Sequence, residues 1–212
     1  MVTPETRARH IELVRAGWEA QLEAPQLFIN GDVEGDGWAG YGSMLSLGGI
    51  APMGETFYVE IAPISDVWDE GQRQFCEDHG LGRERLAREG IPPLDAIRRF
   101  GNWVTMLTDT YQKPAVLSAF NAGYDHGFIQ QYSMLAGMKN PLGGAPYDIK
   151  SRAMGLTGEW DWRLTSKGRL PEVLLPEGDF THNALEDSIY QQPIDFALTG
   201  LVVGGKPWDS IG

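Results

Sequence analysis

Gln26-Leu27-Phe28-Ile29-Asn30-Gly31-Asp32-Val33-Glu34-Gly35-Asp36-Gly37 starts as a short buried strand over residues 26–30 and runs into an acidic segment punctuated by glycine. Side chains two apart on a strand share a face, so Asp32 and Glu34 project together from its end. Two adjacent carboxylates repel unless a cation lies between them, and hard divalent cations favour such oxygen ligands. An acidic surface turn has the same pattern, so the motif decides nothing alone.

Ser43–Ile50 and Thr56–Ile61 read as two further strands. Pro52-Met53-Gly54-Glu55 supplies the turn of a hairpin between them. Residues 62–92 are irregular, with short helical pieces at Gln72–Asp78 and Arg83–Glu89. Pro92-Pro93 opens a longer helix, with Leu94, Ile97, Val104, Leu107 and Tyr111 on its buried side, and Pro114 ends it. Ala115–Phe120 reads as a core strand, Tyr124–Leu135 as a helix, Gly143–Pro146 as a loop, 147–156 as helical and 157–180 as a long loop. A last helix begins near Ala184, and the tail after Pro193 is weakly patterned.

Upstream, residues 3–23 form a helix capped by Thr3, with Pro4 at its first position. Ile11, Val14, Trp18 and Leu22 give it one apolar stripe, which docks it on the domain or serves a homodimer contact. The element order predicts an α/β fold: a mixed central sheet flanked by helices, with an extra N-terminal helix. The chain divides into an N-terminal helical extension, 1–24, and a main domain, 25–212.

The 212 residues carry 29 acidic and 17 basic side chains, a formal charge of −12, which argues against coating nucleic acid through overall charge. An apolar content of 42% is too high for a disordered chain. The 27 glycines predict many tight turns. One cysteine, Cys76, excludes an intrachain disulfide framework and a cysteine-rich zinc site. No segment reaches the roughly 18 apolar residues of a membrane span, and the N-terminus lacks a secretory apolar region. The expectation is a soluble cytoplasmic protein with no membrane partner.

Two more motifs carry chemistry. Asn121-Ala122-Gly123-Tyr124-Asp125 follows the 115–120 strand, where open α/β sheets bind ligands. Asp125 also suits a helix start. In Thr181-His182-Asn183-Ala184-Leu185-Glu186-Asp187, Asn183 and Glu186 have capping-box spacing, which starts the helix at Ala184. His182 then lies outside the helix and Asp187 on its first turns, so both can reach one site. A capped helix with a surface histidine fits equally well.

Taken together and in order, Asp32-x-Glu34, Asp125, and His182 with Asp187 resemble the DEDDh 3′→5′ exonucleases of the ribonuclease H-like superfamily, relatives of proofreading subunits and oligoribonucleases. The resemblance spans about Leu27 to Tyr190. Asn183 stands where the related tyrosine-type enzymes place tyrosine, which favours the histidine type. The chain departs from the family in the Gly35–Gly42 insert, the 1–24 extension, and a final helix expected to be short because Gln191-Gln192-Pro193 follows Asp187.

The resemblance implies a ribonuclease H-like fold. It also implies two divalent ions, Mg²⁺ or Mn²⁺, held by Asp32, Glu34, Asp125 and Asp187, with His182 taking a proton from the attacking water. The products are nucleoside 5′-monophosphates from single-stranded RNA or DNA 3′ ends, with RNA or short oligonucleotides slightly favoured.

Substrate contacts are drawn from residues 150–169, where five basic side chains face only Glu159 and Asp161. Trp160 and Trp162 lie among Arg163 and Lys167, and rings beside cations suit a single strand. A loop with packed tryptophans and solvated charges fits as well. Asn121 is placed with these contacts. Met44 and Leu45 either wedge against the terminal base or pack in the core.

Two rival classes are a catalytically inactive nucleic-acid-binding module on the same fold and a calcium-binding structural protein. The second weakens because Ser43, not glutamate, is twelfth from Asp32. Gly200–Lys206 imitates a phosphate loop, but Pro207 occupies the hydroxyl position. His10, His79, His126 and Cys76 have no ligand spacing and read as structural or surface residues.

Overall fold

The computed structural model describes residues 3–178 and 181–204. The strands are β1 (Leu27–Gly35), β2 (Met44–Ile50), β3 (Thr56–Glu60), β4 (Ala115–Ala119) and β5 (Tyr147–Asp148). They form one sheet in the order β3-β2-β1-β4-β5. β1–β2 and β2–β3 are antiparallel, whereas β1–β4 and β4–β5 are parallel, so the sheet is mixed as expected. The helices are α1 (Pro4–Glu23), α2 (Glu70–Asp78), α3 (Arg83–Glu89), α4 (Pro93–Tyr111), α5 (Gly123–Leu135), α6 (Ile149–Thr157) and α7 (Ala184–Val203).

Strand alternation assigns the two sheet faces. Leu27, Ile29 and Val33 of β1 join Leu47, Val59 and Leu117 in a core packed against Ile97, Phe100 and Val104 of α4 and Phe128, Ile129 and Tyr132 of α5. Asn30, Asp32 and Glu34 therefore point to the opposite face, over which α7 lies. That approach needs glycine at position 48, where a Cβ would meet the Ala184 backbone at 2.2 Å. Gly48 is the ladder partner of Asp32, so the first turn of α7 is seated beside the first acidic motif.

A second core joins Leu13 of α1, Ile149 and Ala153 of α6, and Ile194, Ala197 and Leu198 of α7. α1 and α7 touch at backbone distance, because a Cβ on Gly17 would lie 1.7 Å from the Phe196 carbonyl oxygen. This contact corrects the expected stripe. The buried face of α1 is Leu13, Gly17 and Gln21. Ile11 is exposed, while Val14, Trp18 and Leu22 are half-buried.

Four other elements differ from expectation. β1 runs on through Asp32 and Glu34 to Gly35 because β2 pairs with it that far. β5 is only two residues long, too short to show a period, and precedes the expected helix. The 157–180 segment contains 3₁₀ turns at Trp162–Thr165, Lys167–Arg169 and Glu172–Leu174. α7 is long: it passes through Pro193 to Val203. Proline removes one helical N–H bond, but the turns from Ile194 to Leu201 are buried between α1 and the sheet, and tertiary packing overrides the local cost. Gly200–Val203 of the phosphate-loop imitation is thus helical and Gly204 caps it, while Gly205, Lys206 and the following Pro207 lie outside the described residues.

Candidate active site

Asp32, Glu34, Asp125, His182 and Asp187 line one pocket of about 590 Å³, together with Phe120, Asn121, Tyr124, Lys167 and Arg169. A larger groove of about 1020 Å³, between α1, α7 and the 172–178 segment, holds none of the five and is lined mainly by apolar groups. The chemistry belongs to the smaller pocket because there four carboxylates from β1, α5 and α7 converge beside an imidazole.

Three elements fix the four acidic groups. Asp32 and Glu34 share the α7-facing side of β1. Asp125, in the first turn of α5, accepts a hydrogen bond of 2.9 Å from the Val33 backbone N–H, which ties it between the two. Asp187 accepts a bond of 3.1 Å from the Thr181 N–H. Asn183 caps α7, its Oδ1 accepting from the N–H groups of Leu185 and Glu186. The expected capping box forms only by half, because Glu186 binds the Thr181 hydroxyl instead of reaching back.

His182 has φ of 58°, in the left-handed region that few non-glycine residues adopt. This turns its ring toward the acids. One ligand atom each from Glu34, His182 and Asp187 lie within 4.8 Å of one another. The ring also stacks edge-on against Phe75 and His79, both with centroids 4.6 Å away. His79, read from sequence as structural or surface, thus borders the site.

Burial dominates the electrostatics. It pushes the Asp32 carboxyl up to about 7, Lys167 opposing and Asp187 assisting. Burial, then repulsion from Asp32, Asp187 and Asp125, pushes Glu34 up to about 9. Asp125 is also held well above its ordinary value by burial and by Asp32. His182 is lowered, first by burial and then by His79, against the pull of Asp187. Lys167 approaches Asp32 at 3.7 Å. Oxygen donors crowded around so little positive charge fit a hard divalent cation.

The remaining predicted contacts are dispersed. Met44 and Leu45 are fully buried and line no part of the pocket. Met44 packs in the main core and Leu45 against Cys76, Leu81 and Leu86, since β2 lies inside the sheet. Asn121 does line the pocket, at φ 57°. Trp160 is 89% exposed and borders a separate small cleft. Trp162 takes Lys150 over its ring at 4.1 Å, and Arg163 pairs with Asp161. Of the five basic residues of 150–169, Lys167 and Arg169 line the acidic pocket, while Arg152 reaches toward buried Asp195.

Sequence reasoning missed Phe120 and Tyr124 as pocket walls, and Trp38, whose ring meets Tyr124 at 5.5 Å. The signal was an aromatic residue inside the Gly35–Gly42 insert. That insert is not a calcium loop. Asp36 is consumed by the Ser43 N–H at 2.6 Å and by an ion pair with Arg83.

No family model matches the chain. It is 32% identical over 169 residues to the 3′-5′ DNA exonuclease Cap18 of Escherichia coli, covering 78% of this chain and 88% of that relative. Its fold is similar to the nuclease domain of 3′hExo, a DEDDh family member bound to rAMP, with TM-score 0.62, 12% identity, and coverage of 86% of this chain and 94% of that one. It is also similar to S. pombe Pop2p in its Mg²⁺- and Mn²⁺-bound form, with TM-score 0.59, 12% identity, and coverage of 94% and 92%. E. coli Exonuclease I in complex with a dT13 oligonucleotide gives TM-score 0.57 at 13% identity over 84% of this chain and 41% of that one. At such identities these three likenesses concern the fold, which is ribonuclease H-like.

Proposed function

The chain belongs to the DEDDh family of 3′→5′ exonucleases, and on that premise we propose that it releases nucleoside 5′-monophosphates from single-stranded 3′ ends in a divalent-metal-dependent reaction. The observation that carries this is the meeting of Asp32, Glu34, Asp125, Asp187 and His182 in one pocket at the ends of β1 and β4. Likeness to a DNA exonuclease supports DNA over RNA, whereas the sequence alone leaned toward RNA.

Asp32, Glu34, Asp125 and Asp187 are the residues that would hold two ions, Mg²⁺ or Mn²⁺. Such ions supply positive charge beside the scissile phosphate and the attacking water. His182 accepts the water's proton. Burial lowers its pKa, which favours the neutral imidazole that a proton acceptor needs. Phe75 and His79 hold the ring in place. Lys167 and Arg169 face the substrate phosphates, and Tyr124 with Trp38 offers rings to its bases. Trp160, Trp162 and Arg163 extend the path outward along the 3₁₀ segment.

Residues 1–24 form an extension of the exonuclease domain at 25–212 in this reading. The exposed flank of α1 serves a homodimer, to be checked by sedimentation. The cytoplasmic location read from the sequence completes the proposal.

End-labelled DNA and RNA oligomers, digested side by side with Mn²⁺, Mg²⁺ or chelator, test it directly. Stepwise mononucleotide release from DNA 3′ ends, abolished by chelator, is the expected result. Release that persists in chelator, or none from either polymer, would overturn it.

A further inference from the structure

β1 and β4 pair in parallel only as far as Asn30 opposite Ser118, and then diverge. The acids lie just past this fork: Asp32 two residues beyond Asn30, and Asp125 after the turn that follows β4. Once backbone pairing stops, the two strands need another tie to stay in register.

Gln191 supplies that tie. It is fully buried on α7, one helical turn after Asp187. Its Nε2 donates to the Gly31 carbonyl at 2.7 Å, and its Oε1 accepts from the Phe120 N–H at 3.2 Å. One amide thus bridges both arms of the fork, immediately before Asp32 on one side and Asn121 on the other. The task requires a donor and an acceptor on one planar head at this reach, which glutamine has and glutamate or methionine lacks. Gln192, its neighbour, instead donates to the Ala51 carbonyl at 3.1 Å, beyond the far end of β2 from the acids.

We infer that Gln191 is a positioning residue for the acid cluster: by bridging Gly31 and Phe120 it registers Asp187 of α7 against Asp32 of β1 and Asp125 of α5. Its two hydrogen bonds go to the backbone on either side of the fork, and it acts through them. The inference rests on the reading of that cluster as a metal site.

The test compares Gln191→Met and Gln191→Glu with Gln192→Leu, which loses a buried bond of the same helix elsewhere. Mn²⁺ binding to each is followed by titration calorimetry without substrate, beside thermal midpoints and separate kcat and KM values on a DNA oligomer. Both Gln191 variants should bind Mn²⁺ between about 10- and 100-fold more weakly, the range typical of residues that orient metal ligands. kcat should fall and KM hold. Gln192→Leu should melt earlier yet bind Mn²⁺ like the parent. If methionine prevents folding, the glutamate variant carries the comparison, since it keeps the shape and the bond to Phe120. Folded Gln191 variants with unchanged Mn²⁺ affinity, or a Gln192→Leu defect of equal size, would overturn the role. Failure of the parent protein to bind Mn²⁺ would instead overturn the metal reading itself.

Discussion

α7 carries two buried aspartates, and their surroundings differ. Asp195 is fully buried, yet the protein supplies its partners: Ser118 donates to it at 2.8 Å and Arg152 lies 3.6 Å away. Burial still raises its carboxyl, while Ser118, Gln21 and Arg152 pull it down. Two turns earlier, Asp187 shares a pocket with three more carboxylates, and the Lys167 ammonium lies 3.7 Å from Asp32 among them. At Asp195 a hydroxyl donor and a cation from the fold offset part of the burial, although Oδ1 takes no hydrogen bond from the described residues. In the pocket, carboxylates crowd one another instead, and burial with that repulsion raises Asp32, Glu34 and Asp125.

Paired substitutions at the two sites test that contrast most strongly. Asp125→Ala should lower mononucleotide release by on the order of 10³-fold or more. It should cost the metal-free protein less stability than Asp195→Ala, because relieved repulsion offsets the lost acceptor of the Val33 N–H. Asp195→Ala should do the reverse, retaining activity per folded molecule while losing about 3 kcal/mol by stranding Arg152. Release assays beside denaturant titrations measure both. A metal-free Asp125→Ala protein that unfolds earlier than the Asp195→Ala protein would break the comparison.

The pH response should be smaller but more specific. Asp32 and Glu34 titrate higher in the folded protein than in the unfolded chain, so the folded state binds more protons between the two values. Their contribution is full below about pH 4 and is lost as pH rises through about 7 and then about 9. The thermal midpoint of the chelated protein should therefore fall across that range. Added Mn²⁺ should restore most at the alkaline end, where the ligands are ionised. A midpoint that rises with pH in chelator would contradict the assignment of these two acids.

Lys167→Met should have the smallest effect. It should weaken single-strand binding a few-fold whatever the sequence, and reduce the slope of log affinity on log salt by about 1. Fluorescence anisotropy at several salt concentrations reads this out. An unchanged slope would assign Lys167 to Asp32 alone.

The acid motifs were legible because each depends on local geometry. Period-two alternation aligned Asp32 with Glu34, and the Asn183 cap fixed where α7 begins. What was not legible depended on distant packing. Pro193 reads as a helix stop until α1 and the sheet bury the turns that follow. Met44 and Leu45 adjoin the acids in sequence, yet β2 takes them into the interior. Lys150 and Arg152 count as surface charge until Trp162 and Asp195 are placed beside them. His79 lies 103 residues from His182 in the chain, a separation that no local pattern bridges.

The bare meeting of Gly17 with the Phe196 carbonyl has an architectural corollary. Helices in direct main-chain contact have no cushion of side chains to absorb a shift, so a push on the outer helix passes undamped to the inner one. The N-terminal segment is therefore a splint for the rod that bears Asp187, and trimming at residue 24 would cut through a joint, although the sequence suggests a seam there.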